Sequence, residues 1–192
     1  MKRTLSLISA LTLSLTALGA HAQPMGPAPM GPGQMGPRNM HPGMMSGGLP
    51  TPEYVHAAAQ SDEFEIAEAK LALTRSHNPH IDMFARKMIH DHTESTHMIK
   101  AALMHSGMPV PPPPPLSPMQ HQMIDQLRAA MGPDFDKTYV EQQLQAHDMA
   151  LATHQGYAQN GSDPALRHTA EKIVPVVQMH LQMLHGMQSH MG

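Results

Sequence analysis

The sequence predicts an all-α chain, a single four-helix bundle with a long proline-rich crossover between helices 2 and 3. Three observations predict it. Four helix starts pair a capping residue with proline at the first helical position: Thr51-Pro52, Asn78-Pro79, Ser117-Pro118 and Asp163-Pro164. Downstream of each start, apolar residues recur at spacings of three and four rather than alternating. Between the second and third of these stretches, Pro109 and residues 111–115 form a stiff extended link.

The first predicted helix covers residues 52–76, with a weak apolar stripe of Val55, Ala58, Ile66, Ala69 and Leu73. The second covers residues 79–105 and stops at Gly107; its stripe is Ile81, Phe84, Met88, His92, Ile99 and Leu103. The third opens with a short piece, residues 118–131, breaks at Gly132-Pro133, and continues over residues 134–160 with Val140, Leu144, His147, Leu151 and Ala158 on one face. The turn Gly161-Ser162-Asp163 leads into the fourth, residues 164–188, striped by Leu166, Ala170, Ile173, Val177, Leu181 and Leu184. Pro175 lies inside it and is expected to kink it. Residues 53–192 therefore read as one bundle domain.

What precedes the bundle is different material. Lys2 and Arg3, an apolar run over residues 5–18, and Ala20-His21-Ala22 read as a signal peptide of residues 1–22, cleaved near Ala22, so the chain is expected in the periplasm or secreted. No stretch is apolar over the roughly 20 residues a spanning helix needs, so no membrane span is expected. Residues 23–52 carry eight Pro, seven Gly and six Met, and Met25-Gly26-Pro27, Met30-Gly31-Pro32, Met35-Gly36-Pro37 and Met40-His41-Pro42 repeat every five residues. That density of Pro and Gly supports neither helix nor ladder, and the segment reads as a disordered arm. It is either a flexible spacer or a thioether arm for a soft ion such as Cu(I).

Composition narrows the function. The 192 residues include 20 Met, 16 His and no Cys, which excludes disulfide scaffolds, cysteine-ligated zinc or iron–sulfur sites and thiol nucleophiles. Twelve Lys and Arg against fifteen Asp and Glu leave no basic excess, and Trp is absent, so nucleic acid is not an expected partner. No Gly-x-Ser-x-Gly turn or phosphate-cradling glycine loop occurs, and the chain is not expected to be an enzyme.

One ordered set of motifs carries a family resemblance. Phe64-Glu65-Ile66-Ala67, Asn78-Pro79, Phe84-Ala85 and Asp91-His92, then Phe135-Asp136 with Tyr139 and His147, and finally Pro175 with His180, resemble the bacterial exported domain-of-unknown-function family DUF4142 over roughly residues 52–184. The resemblance implies export and a ferritin-like four-helix bundle, and almost nothing about activity. Ser61-Asp62-Glu63 departs from the Gly-rich pair usual at that place, and the Met-rich arm and proline run are additions.

Glu65, His92, His147 and His180 come one from each predicted helix, on or beside the inward stripes. Polar groups there must be paired or bind something, and three imidazoles with a carboxylate are a candidate set for one transition metal. The competing reading is a hydrogen-bonded network, with His92 on Asp91 or Tyr139. A di-iron centre is disfavoured because its Glu-x-x-His motifs are incomplete: Glu94 and His97 point away from the His92 stripe. On the outer side of the second helix Met83, His90, His97 and Met104 recur every seven residues, with Glu94 spaced to bridge His90 and His97. At the C-terminus Met179, Met183, Met187 and Met191 recur every four, either as a multi-thioether site or as flexible core filler. These placements make copper the favoured ion, ahead of other transition metals, for a protein that binds or buffers metal. The alternative is a metal-free envelope or stress-response bundle.

Overall fold

A computed structural model describes residues 49–191. The signal peptide and nearly all of the Met-rich arm lie outside the described residues. Five helices follow in order: α1 (Thr51–Arg75), α2 (Pro79–His105), α3 (Pro118–Ala129), α4 (Pro133–Asn160) and α5 (Pro164–Ser189). The break makes the short piece a helix of its own: α3 ends at Ala129 with Ala130 extended, and Gly132, at a φ of 53° that favours glycine, caps the start of α4.

Three of the four expected caps form. Asn78 accepts from the His80 amide at 2.9 Å, Asp163 from Leu166 at 2.8 Å, and Ser117 exchanges two bonds with Gln120 in a capping box. The first does not: α1 starts one residue earlier, with Pro50 at the cap, and the Thr51 hydroxyl instead meets the Tyr157 hydroxyl at 2.6 Å. At the end of α2, Gly107 (φ 67°) lets its own amide reach the Met104 carbonyl and the Met108 amide reach that of Leu103, the paired bonds of a Schellman stop. α5 continues through Pro175 as helix to Ser189.

Helix α1 packs on α2 and α4, and α5 packs on the same two. Thr51 at the start of α1 meets Tyr157 near the end of α4, and Arg75 at its end donates to the carbonyls of Arg128 and Ala130 just before α4. Neighbouring helices therefore run antiparallel, and the long crossover climbs the outside of α1, tied to it where Gln60 donates to the Pro115 carbonyl at 2.7 Å. One long crossover in a four-helix bundle is the connectivity of ferritin-like folds. An apolar cavity of about 360 Å³ lies between α1, α2 and the proline run.

Two apolar clusters fill the bundle ends. One gathers Phe84, Met88, Leu127, Phe135, Tyr139 and Leu184; the other gathers Tyr54, Val55, Leu103, Tyr157, Leu166 and Ile173, with Tyr54 and Tyr157 stacked at 3.8 Å. Between them lies a polar waist of Asp62, Glu65, Glu68, His92, Gln143, His147 and His180, all buried. On α1 the buried residues are Tyr54, Val55, Ala58, Asp62, Phe64, Glu65, Glu68, Ala69 and Ala72, while Ile66 and Leu73 are only half-buried. Val55, Ala58 and Ala69 of the expected stripe are buried, but the middle of the true face is taken by three carboxylates. On α4, likewise, Ala150, His154 and Tyr157 are buried, and Leu151 and Ala158 lie at the margin.

Candidate metal centre

Four helices each deliver a side chain to the waist: Glu65 from α1, His92 from α2, His147 from α4 and His180 from α5. The three imidazole rings form a triangle with centroids 5.3 to 5.5 Å apart, and one nitrogen from each lies within 4.8 Å of the others. Phe84 closes one side, edge-on to His180 at 5.8 Å between centroids.

The partners of the rings fix where their protons sit. His147 Nδ1 donates to the Gln143 backbone carbonyl at 2.8 Å, an acceptor only, which leaves Nε2 with a lone pair. His180 Nε2 donates to Asp91 Oδ2 at 2.8 Å, which leaves Nδ1 bare. These two bare nitrogens face each other at 3.2 Å. His92 Nδ1 donates to Asp62 Oδ1 at 2.8 Å with Glu65 Oε2 at 3.1 Å, and its Nε2, buried, has no partner at all. Each ring thus spends one nitrogen on an oxygen anchor and leaves the other unsatisfied, the arrangement of metal-bound histidines whose second nitrogen is oriented by a carboxylate or carbonyl.

Electrostatics sharpen this. Burial and the neighbouring His92 pull the His180 pKa down to about 4, despite Asp91. Burial, then His92 and His180, push His147 well below its ordinary value. Neither ring carries a second proton at neutral pH to repair the 3.2 Å contact. His92 behaves oppositely: burial lowers it, but Glu65 and then Asp62 raise it to about 9. Asp91, though burial works against it, is drawn down to about 2 by His90, Lys87 and His180. Burial lifts Glu65 to about 7, against the pull of His92, and lifts Glu68 to about 8. The Asp62 carboxylate also accepts from Thr96 at 2.8 Å, and Glu68 accepts from the Gln143 amide at 2.8 Å. Two lone-pair nitrogens, joined by a third on His92 once its proton leaves, beside a titratable carboxylate can bind a borderline cation and give up protons as they do so.

The family model described as Domain of unknown function (DUF4142) matches residues 37–187. The chain belongs to the DUF4142 family. No curated protein sequence matches it. Among solved structures, the DUF4142 chain is similar to CopM in the Cu(II)-bound form, with a TM-score of 0.64, 18% identity and coverage of 74% of this chain and 98% of that one. CopM in the Cu(I)-bound form gives 0.61, at 17% identity with 72% and 94% covered. A DUF305 fragment from Deinococcus radiodurans gives 0.62, at 18% identity with the same coverage as that form. At these identities the likeness shows the helical fold.

The remaining sequence candidates lie apart from the waist of this DUF4142 bundle. Met83, His90, His97 and Met104 are exposed along the outside of α2. The expected Glu94 bridge does not form: His90 turns to its chain neighbour Asp91 at 2.9 Å, and Glu94 stands 4.0 Å from His97. Asp91, expected beside His92, instead serves His180, because consecutive helical residues point about 100° apart. In the C-terminal run, Met179 is half-buried, Met183, Met187 and Met191 pack against the core, and Met191 lies beyond the end of α5. Sequence reasoning missed Asp62, Glu68, Gln143 and the buried pair of His154 with Tyr54, whose hydroxyl lies 3.1 Å from its Nδ1. A signal existed for Asp62 and Glu68, each three residues from Glu65 and so on its face of α1.

Proposed function

We propose that this DUF4142 protein is an exported metal-binding protein, and not an enzyme, in which His92, His147 and His180 hold one transition-metal ion, copper before others. The observation that supports it most is that three buried imidazoles, each anchored to an oxygen through one nitrogen, bring a nitrogen apiece within 4.8 Å of one another. Bound there, the ion would accept three lone pairs and remove the opposition between His147 Nε2 and His180 Nδ1. Glu65, with its Oε1 3.4 Å from His147 Nδ1 and without a hydrogen-bond partner, would balance the ion's charge.

Copper is favoured because imidazole suits it and because divalent first-row ions bind such sites most tightly at Cu(II). The copper-bound forms of CopM, which share the fold, lean the same way. The five-residue Met repeat of the arm supplies thioethers for Cu(I), so the two ligand sets would serve the two oxidation states of one element. Export follows from the N-terminal 22 residues.

A metal-free envelope bundle is the second reading. It is favoured by the continuity of contacts from Asp91 through His180 and His147 to the Gln143 carbonyl, but it needs a proton between two rings whose pKa values are both pushed down. Titrating the chelator-treated protein with Cu(II) against a competing chelator decides between them: one tight site lost on substituting the three histidines supports the metal, and no saturable binding refutes it.

A further inference from the structure

The polar waist has one partner that reaches the surface with ligand chemistry. Asp62 and Glu65 are buried, and so is Gln143. Asp91 is not: its side chain is 14% exposed, between His90 at 80% and His180 at 0%. Exposure thus falls stepwise along three side chains already in contact, His90 Nδ1 to Asp91 Oδ1 at 2.9 Å and Asp91 Oδ2 to His180 Nε2 at 2.8 Å. His90 spends Nδ1 on Asp91, which leaves its Nε2 lone pair on an exposed ring. The oxygen that anchors His180 also takes the ammonium of Lys87, 2.9 Å away and one helical turn back on α2.

We propose that His90, Asp91 and Lys87 form the port through which a transition-metal ion passes to the buried triad, with His90 as capture ligand and Lys87 as latch. The proposal rests on the reading of the triad as a metal site and gives His90, outside the waist, a role there. A hydrated cation reaching the outer side of α2 meets an imidazole and a carboxylate, the donors that can replace its water step by step. To bind Asp91 it must displace the Lys87 ammonium, a like charge on the same oxygen. Once there it adjoins His180, which presents Nε2 to Asp91 and Nδ1 to His147. Among the described residues the rival route runs through Thr96, which donates to Asp62 and borders the cavity under the proline run. Its walls are mostly Val55, Ile99, Leu103 and prolines; His56, Glu63 and Met108 also border it, but among the described residues no hydrogen bond or ion pair joins them to the waist, whereas His90, Asp91 and His180 are in unbroken contact.

The test is the rate of Cu(II) uptake by the full metal-free chain, followed by stopped-flow release from a chromogenic chelator, alongside equilibrium affinity and thermal unfolding of each variant. Lys87→Met is expected to load about 10-fold faster, the low end of electrostatic effects on encounter rates. His90→Gln is expected to load several-fold slower at unchanged affinity, and His56→Gln, in the wall of the rival cavity, to match the wild type. Wild-type rates in both Lys87→Met and His90→Gln, or a slowing confined to His56→Gln, overturn the port while leaving the metal site standing. Failure of the wild-type chain to take up Cu(II) overturns the metal site and the port with it.

Discussion

His147 Nε2 and His180 Nδ1 stand 3.2 Å apart, and neither carries the proton that a hydrogen bond between them requires. Their other nitrogens are committed to acceptors, the Gln143 carbonyl and the Asp91 carboxylate. A fold that buries two opposed lone pairs stores a deficit of the order of an unmade hydrogen bond, about 1–3 kcal/mol, which a cation removes.

Replacing His147 by Gln separates binding from structure. The amide offers a donor toward His180, so the metal-free variant is expected to unfold within about 1 kcal/mol of wild type in urea, inside the range of volume-conserving core changes. Its Cu(II) affinity is expected to fall by more than about 100-fold, beyond the loss of an outer partner alone. A merely structural triad would show the reverse, large destabilisation with unchanged uptake.

The anchors are expected to matter less than the ligands. Asp91→Asn and Asp62→Asn should each weaken Cu(II) binding by about 10- to 100-fold at unchanged stoichiometry, since each orients one ring. His92→Leu acts on folding as well: it strips the Asp62 and Glu65 carboxylates of their cation, and metal-free stability at neutral pH should drop by about 3–5 kcal/mol in denaturant titration.

Stability should depend on pH in an uncommon direction. Glu65 and Glu68, raised from 4.5 to about 7 and 8, favour folding below 4.5 and lose that contribution as pH rises through those values. His92, raised from 6.5 to about 9, likewise contributes below 6.5 and loses it toward 9. His154 and His180, both lowered to about 4, work the other way, but only between 6.5 and 4. Above pH 6.5 nothing among these groups offsets the carboxylates and His92. The metal-free protein is expected to melt at progressively lower temperature from pH 6.5 to 9, with a shallower decline in Glu68→Gln. A melting temperature flat or rising over that interval contradicts this assignment of charges.

The C-terminal methionines are expected to behave as packing. Met183→Leu and Met187→Leu should cost less than about 1.5 kcal/mol each in urea unfolding and leave Cu(II) uptake unchanged, because both side chains pack against the core cluster of Phe84 and Leu184. On the outer face of α2, His97→Gln should change stability by less than about 0.5 kcal/mol.

The architecture was legible because caps, prolines and periodicity are local. Asn78, Ser117 and Asp163 announce their helices, and the proline run announces the crossover. Glu65, His92, His147 and His180 were legible as a group since each falls on or beside an inward stripe. The partners were not. Asp62 and Glu68 look like surface acids, and their place inside the bundle depends on His92, 30 residues from Asp62, and on Gln143, 75 residues from Glu68. That same substitution of carboxylates for aliphatics leaves Ile66 and Leu73 of the expected stripe only half-buried, Leu73 packing against the edge of the core cluster. Asp91 was visible but assigned to the wrong ring, because only the pairing of α2 with α5 turns it toward His180.

The most direct test of the central claim is a Cu(II) titration of the chelator-treated chain lacking residues 23–48, monitored by electron paramagnetic resonance. One tightly bound Cu(II) per chain with hyperfine coupling to three imidazole nitrogens, abolished when His92, His147 and His180 are replaced together, is the expected result. Weak, unsaturating uptake, or a signal that survives the triple replacement, would contradict it.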